Sequence, residues 1–137
     1  VRAGERPPTA AFVAEGLLRL YYGRDDGREF NKSFVAAPDF ASAHEALLTG
    51  EPSRLAIQAL EPSRLVVLDY DVLTSFYERD MAWQRMARLF VERLYVKKAR
   101  KEAALLMDSA AERYRTFLAE YGHLEARIAD YHIASCL

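Results

Sequence analysis

The sequence is poor in residues that carry covalent and metal chemistry. Its 137 residues hold one cysteine, Cys136, which excludes an internal disulfide framework, a multi-cysteine metal site and a four-thiolate iron–sulfur cluster within the chain. A lone thiol suits a reducing compartment, so a cytoplasmic protein is expected. The three histidines, His44, His123 and His132, are scattered. None belongs to a metal-ligand spacing that outranks chance or lies in an apolar stretch to wall a haem, and no metal or cofactor is expected. No Ser/His/Asp order or carboxylate pair stands out, which argues against an enzyme.

Long apolar runs are also missing. No stretch of about 18 apolar residues could span a bilayer, so no membrane partner is expected. The start, Val1-Arg2-Ala3-Gly4-Glu5-Arg6, leads into no apolar signal segment. With 19 basic and 20 acidic side chains the net charge is -1, so any attraction to nucleic acid must be local. The chain has no initiator Met and ends on Ala134-Ser135-Cys136-Leu137 without a helix-stop signal, and it reads as the interior of a longer protein.

What is present, 51% hydrophobic and 28% charged residues, supports one globular core. After a Gly4-Glu5 turn and a Pro7-Pro8 kink, short strands follow one another: Ala11–Ala14, Leu17–Tyr22 and about Glu29 to Ala36. Gly16 and Asp25-Asp26-Gly27 mark the turns between them. Pro38-Asp39-Phe40 breaks the third strand, and Ser42–Leu48 suits one or two helical turns. Glu51–Glu61, entered through Thr49-Gly50, is a loop feeding a strand, with Arg54 where loop becomes sheet. Leu65–Tyr70 is apolar and β-branched enough for a buried strand. Short, evenly spaced strands with Gly and Pro between them predict an α+β chain built on a jelly-roll barrel of antiparallel strands over residues 1–79.

The second half reads as helical. Asp71 is a candidate N-cap for a helix over Val72–Arg79. Asp80 to Met107 contains no Gly or Pro, predicting one long helix over residues 80–107. Met86, Leu89, Val96 and Ala103 lie near one seam, widened by Trp83, Phe90 and Leu94, and a stripe this broad suits two neighbours: the barrel and a second copy. Arg93 and Arg100 interrupt the seam. In residues 108–137, Ser109 and Glu112 have capping-box spacing, Gly122 is a candidate stop, and Asp130 starts a last short helix. On it His132 reads as a surface or cap residue and Cys136 as a small buried hydrophobe.

In this order the elements resemble the Crp/Fnr family of bacterial transcription regulators. The likeness rests on Phe12-Val13-Ala14-Glu15-Gly16-Leu17-Leu18-Arg19-Leu20-Tyr21, the Asp26-Gly27-Arg28-Glu29 hairpin and the Pro52–Glu61 cassette. It rests also on Glu112-Arg113-Tyr114 followed by Ile128–Leu137. The resemblance implies a sensor barrel for a small-molecule effector, a long helix that forms a homodimer through Met86, Leu89, Phe90, Val96 and Ala103, and the start of a helix-turn-helix domain. Duplex DNA would be a partner only of the complete protein, because this chain carries just the supporting helix, with Asp130, His132 and Ser135.

The family's cyclic-AMP binders carry a Gly-Glu pair and a phosphate-binding Arg. Aligned on Asp39-Phe40, the pair falls on Ser42 and Ala43; aligned on Ala59, the Arg falls on Ser53, with Arg54 one place late. One residue of shift in a strand reverses the face, so an effector other than cyclic AMP, or none, is expected. Arg54 suits either a ligand or an ion pair with Glu51. Lys97 and Lys98 suit either a solvated helix face or the reach of the long helix into the pocket. The alternative to a regulator is a small-molecule-binding module with no DNA role.

Overall fold

The computed structural model describes residues 1–6 and 9–137; the Pro7-Pro8 kink lies outside the described residues. The chain divides into two units, Val1–Val72 with Ile128–Cys136, and Leu73–Arg127 with Leu137.

Strands β1 (Thr9–Glu15) and β2 (Leu17–Gly23) are joined at Gly16. Its φ of +102° suits glycine alone, and a Cβ there would stand 2.8 Å from the Ser63 backbone Cα. Asp26 closes the next turn, accepting from the Arg28 backbone N–H (3.1 Å) and Nε (2.9 Å), and β3 (Glu29–Ala36) returns along β2. β4 (Asp39–Ala41), helix α1 (His44–Thr49), β5 (Leu55–Ala59) and β6 (Arg64–Asp69) follow.

The strands form two antiparallel sheets, ordered β4-β1-β6 and β3-β2-β5. Phe12 pairs with Phe40 on one side and Val66 on the other; Arg19 lies between Phe34 and Gln58. Alternation sends Val13 and Leu18 inward, where with Ala41 they form a core against Val35, Ala37 and Ile57. Among the described residues the sheets stay separate layers and do not close into one barrel. β4 is three residues long and pairs with β1 alone, and Pro38 before it has no N–H to carry the β3 ladder onward. β6 departs from the expected buried strand: Leu65, Val66 and Val67 are exposed, because this edge strand pairs only with β1. The last helix, α5 (Asp130–Cys136), packs on β3.

Helix α2 (Tyr70–Arg79) begins earlier than predicted. Asp69, not Asp71, caps it, accepting from the N–H groups of Asp71 (2.9 Å) and Val72 (3.3 Å). In the second unit α3 runs uninterrupted from Met81 to Met107, capped by Asp80, which accepts from Ala82 N–H at 2.8 Å. None of its residues is buried. α4 (Ala110–Tyr121) starts in a complete Ser109–Glu112 capping box. α4 ends at Tyr121 with Gly122 as its C-cap, as expected; Gly122 does so in right-handed backbone (φ -57°), and a 3₁₀ turn, Gly122–Arg127, follows.

Candidate functional site

The cassette is built from α1, its exit loop and β5. Gly50 ends α1 in the left-handed conformation (φ +69°), donating to Ala46 C=O at 2.9 Å. The loop is then clamped at Ser53, whose buried Oγ donates to Leu55 C=O (2.7 Å) and accepts from Leu55 N–H (3.1 Å). The N-terminal segment adds a second clamp, with Gly4 N–H donating to Ser53 C=O (2.7 Å) and Ser53 N–H to Glu5 C=O (2.8 Å). Ser53 is thus a fixed anchor, and the next residue, Arg54, projects into solvent. Among the described residues Arg54 makes no hydrogen bond or ion pair, with Glu51 or any other carboxylate.

Ala43, Ser53 and Arg54 line one small cavity of about 50 Å³ together with Tyr22, Lys32 and Glu45. Ligand clefts run to roughly 300–1,000 Å³, so this space admits water and no nucleotide. An open groove of about 880 Å³ adjoins it, sharing Tyr22, Glu45, Pro52, Ser53 and Arg54 and extending past Gly4 and Arg24. Burial raises the Tyr22 phenol, with Glu45 adding to the effect and Arg54 opposing it. Burial lowers His44, and the Lys32 charge lowers it further. Both side chains are therefore neutral at pH 7 and offer directed hydrogen bonds, leaving charge to Arg54, Lys32 and Glu45.

Of the other residues singled out in the sequence, Ser42 is half-buried at the end of β4. Lys97 and Lys98 belong to the second unit. There the Lys97 ammonium donates to Tyr121 Oη (2.5 Å) and pairs with Glu120 (2.6 Å), while Lys98 is exposed. Met86, Leu89, Val96 and Ala103 are exposed on α3 and Phe90 is half-buried. Sequence reading missed Tyr22, Lys32 and Glu45. Tyr22 shares a strand face with Leu18 and Leu20, and that period-2 pattern was the available signal. Lys32 carries none: it is an exposed residue skipped by the register shift between Leu20 and Tyr21, and its place at the cavity rim is set by that pairing.

His132 is not a surface residue. It is buried, with Nδ1 3.2 Å from both Arg19 Nη1 and Asn31 Nδ2. Ser135 Oγ accepts from Asn31 N–H (3.1 Å) and donates to Glu29 C=O (2.7 Å). Cys136 is half-buried, its Sγ 3.9 Å from Lys32 C=O. Asp130 is exposed.

A family model, the cyclic nucleotide-binding domain, matches residues 1–80. The chain belongs to that family. Among solved structures it is similar to FixK2 from Bradyrhizobium japonicum, at 24% identity and a TM-score of 0.74 over 93% of this chain and 62% of that one. The Thermus thermophilus catabolite activator protein aligns at 22% identity and a TM-score of 0.60 over 76% of this chain and 48% of that one. The c-di-GMP responsive global regulator CLP of Xanthomonas campestris aligns at 15% identity and a TM-score of 0.68 over 95% and 65%. The fold is thus that of the Crp/Fnr regulators, as the sequence motifs imply, and the chain spans about three-fifths of the FixK2 chain. No curated protein sequence matches significantly. No helix among the described residues is long and apolar enough to cross a membrane.

Proposed function

We propose that the chain is the effector-sensing and dimerising part of a cytoplasmic transcription regulator, with its strands arranged in the jelly-roll manner of its family. Duplex DNA is a partner of the complete protein. The effector is a small anionic molecule other than cyclic AMP, seated in the groove beside the cassette.

The observation that carries this reading is Arg54, an ion-pair-free cation on a loop fixed from both sides of Ser53. A rigid loop presenting an uncompensated guanidinium suits a carboxylate or phosphate, which it grips through two parallel N–H donors. Cyclic AMP is disfavoured because Ala43 offers no carboxylate to a ribose hydroxyl. The exposed apolar side chains Met86, Leu89 and Val96 on α3 support a homodimer. An effector that binds one packing of the two α3 helices more tightly than another would shift the balance between them by that difference alone.

A thermal-shift screen of nucleotides and anionic metabolites tests the reading. A ligand at about 100 times its Kd stabilises by about 2.7 kcal/mol, and R54A should abolish the rise. Stabilisation by cyclic AMP would overturn the assignment of effector class, and a flat response to every nucleotide and anion would overturn effector binding.

A further inference from the structure

The face of the β3-β2-β5 sheet that carries Arg19 is an unusual docking surface, because it is polar and yet buried. Arg19 is 5% exposed and every nitrogen is engaged. Nε donates to Gln58 Oε1 (2.7 Å), Nη2 pairs with Glu29 (2.7 Å), and Nη1 reaches Asn31 Oδ1 (3.4 Å) and His132 Nδ1 (3.2 Å). Its guanidinium carbon lies 3.9 Å from the centre of the Tyr21 ring. The Asn31 amide nitrogen donates to His132 C=O (2.9 Å) and faces His132 Nδ1 at 3.2 Å.

Two N–H donors, one of them charged, therefore converge on a single imidazole nitrogen. That assigns Nδ1 as an acceptor with the ring proton on Nε2, so the ring is neutral when α5 is docked. A proton on Nδ1 would set a donor against two donors and a cation beside the Arg19 guanidinium. Such a buried network holds firmly when complete and fails when one member loses its role.

We propose that this network is a pH-sensitive latch: α5 is held on the sensor sheet by neutral His132, and protonation of His132 releases it. The latch is a property of this unit and does not depend on which effector the groove takes. The groups that bear on the imidazole can be named element by element. β2 brings Arg19 and Tyr21; β3 brings Glu29, Asn31 and Lys32, whose side chain lines the cassette cavity; β5 brings Gln58 through Arg19. α5 itself brings Asp130, Cys136 and Tyr131, whose ring lies 4.1 Å from that of His132. Burial lowers the His132 pKa, the Arg19 charge lowers it further, and Glu29 opposes them. The sign follows: docking is at full strength above the free-histidine value of about 6.5. It weakens as pH falls toward the lowered docked value.

Amide exchange across residues 130–136, corrected for intrinsic rates, tests the latch in the whole chain, with the C–H resonance of His132 followed in parallel. Between about pH 7.5 and pH 5, α5 protection should fall by about tenfold per unit of pKa difference, while strands β2 and β3 stay protected. H132Q, which keeps an acceptor but cannot take a proton, should hold α5 across the range. Should H132Q fail to dock at neutral pH, E29Q serves instead: losing the carboxylate that favours imidazolium lowers the docked pKa further, so the fall in α5 protection between about pH 7.5 and pH 5 should be larger than in the wild type. The latch is overturned if α5 protection is flat in the wild type, if H132Q tracks the wild type, or if E29Q leaves the size of the pH-dependent fall unchanged.

Discussion

Arg19 and His132 are 113 positions apart in the chain, yet Nη1 of one lies 3.2 Å from Nδ1 of the other. An arginine in the second strand thus joins the last helix to the β3-β2-β5 sheet, through partners drawn from three strands. Removing Arg19 strands this set. R19A should cost about 2–4 kcal/mol in urea unfolding, toward the low end of buried-pair losses because Glu29 stays partly open to water. R19K should recover only part of it, since an ammonium cannot reach Gln58, Glu29 and His132 from one plane.

Alkali should loosen the second unit. Burial pushes the Tyr121 phenol from its ordinary value of 10.0 up to about 12, with Glu120 adding and Lys97 opposing. Burial alone would lower the Lys97 ammonium, but Tyr121 and Glu120 outweigh it and hold the pKa raised. Both folded values are raised, so the stabilisation is complete below pH 10.0 and is lost as pH climbs through about 12. Ultraviolet titration should show Tyr121 ionising last of the tyrosines, with loss of helicity following it. An unshifted tyrosine set would refute this.

Gly16 should be the least replaceable turn residue. G16A forces a side chain onto φ +102° and into Ser63, at a cost of about 1–3 kcal/mol from backbone strain before the clash is counted. Adding S63G should rescue only partly, because the Ser63 Cα itself stands 2.8 Å from the new Cβ. Melting curves of G16A and the double variant measure both effects.

The exposed face of α3 predicts self-association. Sedimentation should find a dimer, and L89D should raise its Kd by about a hundredfold or more, since two buried leucines are lost per interface. A monomeric wild-type chain at tens of micromolar would remove the assignment of α3 as the dimer helix.

Local chemistry made part of this molecule legible in the sequence. The Ser109–Glu112 capping box, the Asp26 hairpin, the uninterrupted helix after Asp80 and the Gly16 turn are set by neighbours within a few residues, and each formed as its residue types require. Period-2 alternation likewise sent Leu18 into the core. Boundaries were less legible, as the capping of α2 by Asp69 and not Asp71 illustrates, because neighbouring residues of similar type compete for one cap.

The sequence by itself determined the order of elements, the absence of a carboxylate at Ala43 and the place of Arg54 at the cassette. Tertiary structure alone decided that Arg54 stays out of any ion pair, that Tyr22, Lys32 and Glu45 share its cavity, and that His132 is a buried acceptor. The reason is range. Turns, caps and alternation are fixed by bonds a few residues long, whereas a polar network between residues 19, 29, 31, 58 and 132 exists only once strands and helix have brought its members within hydrogen-bond reach.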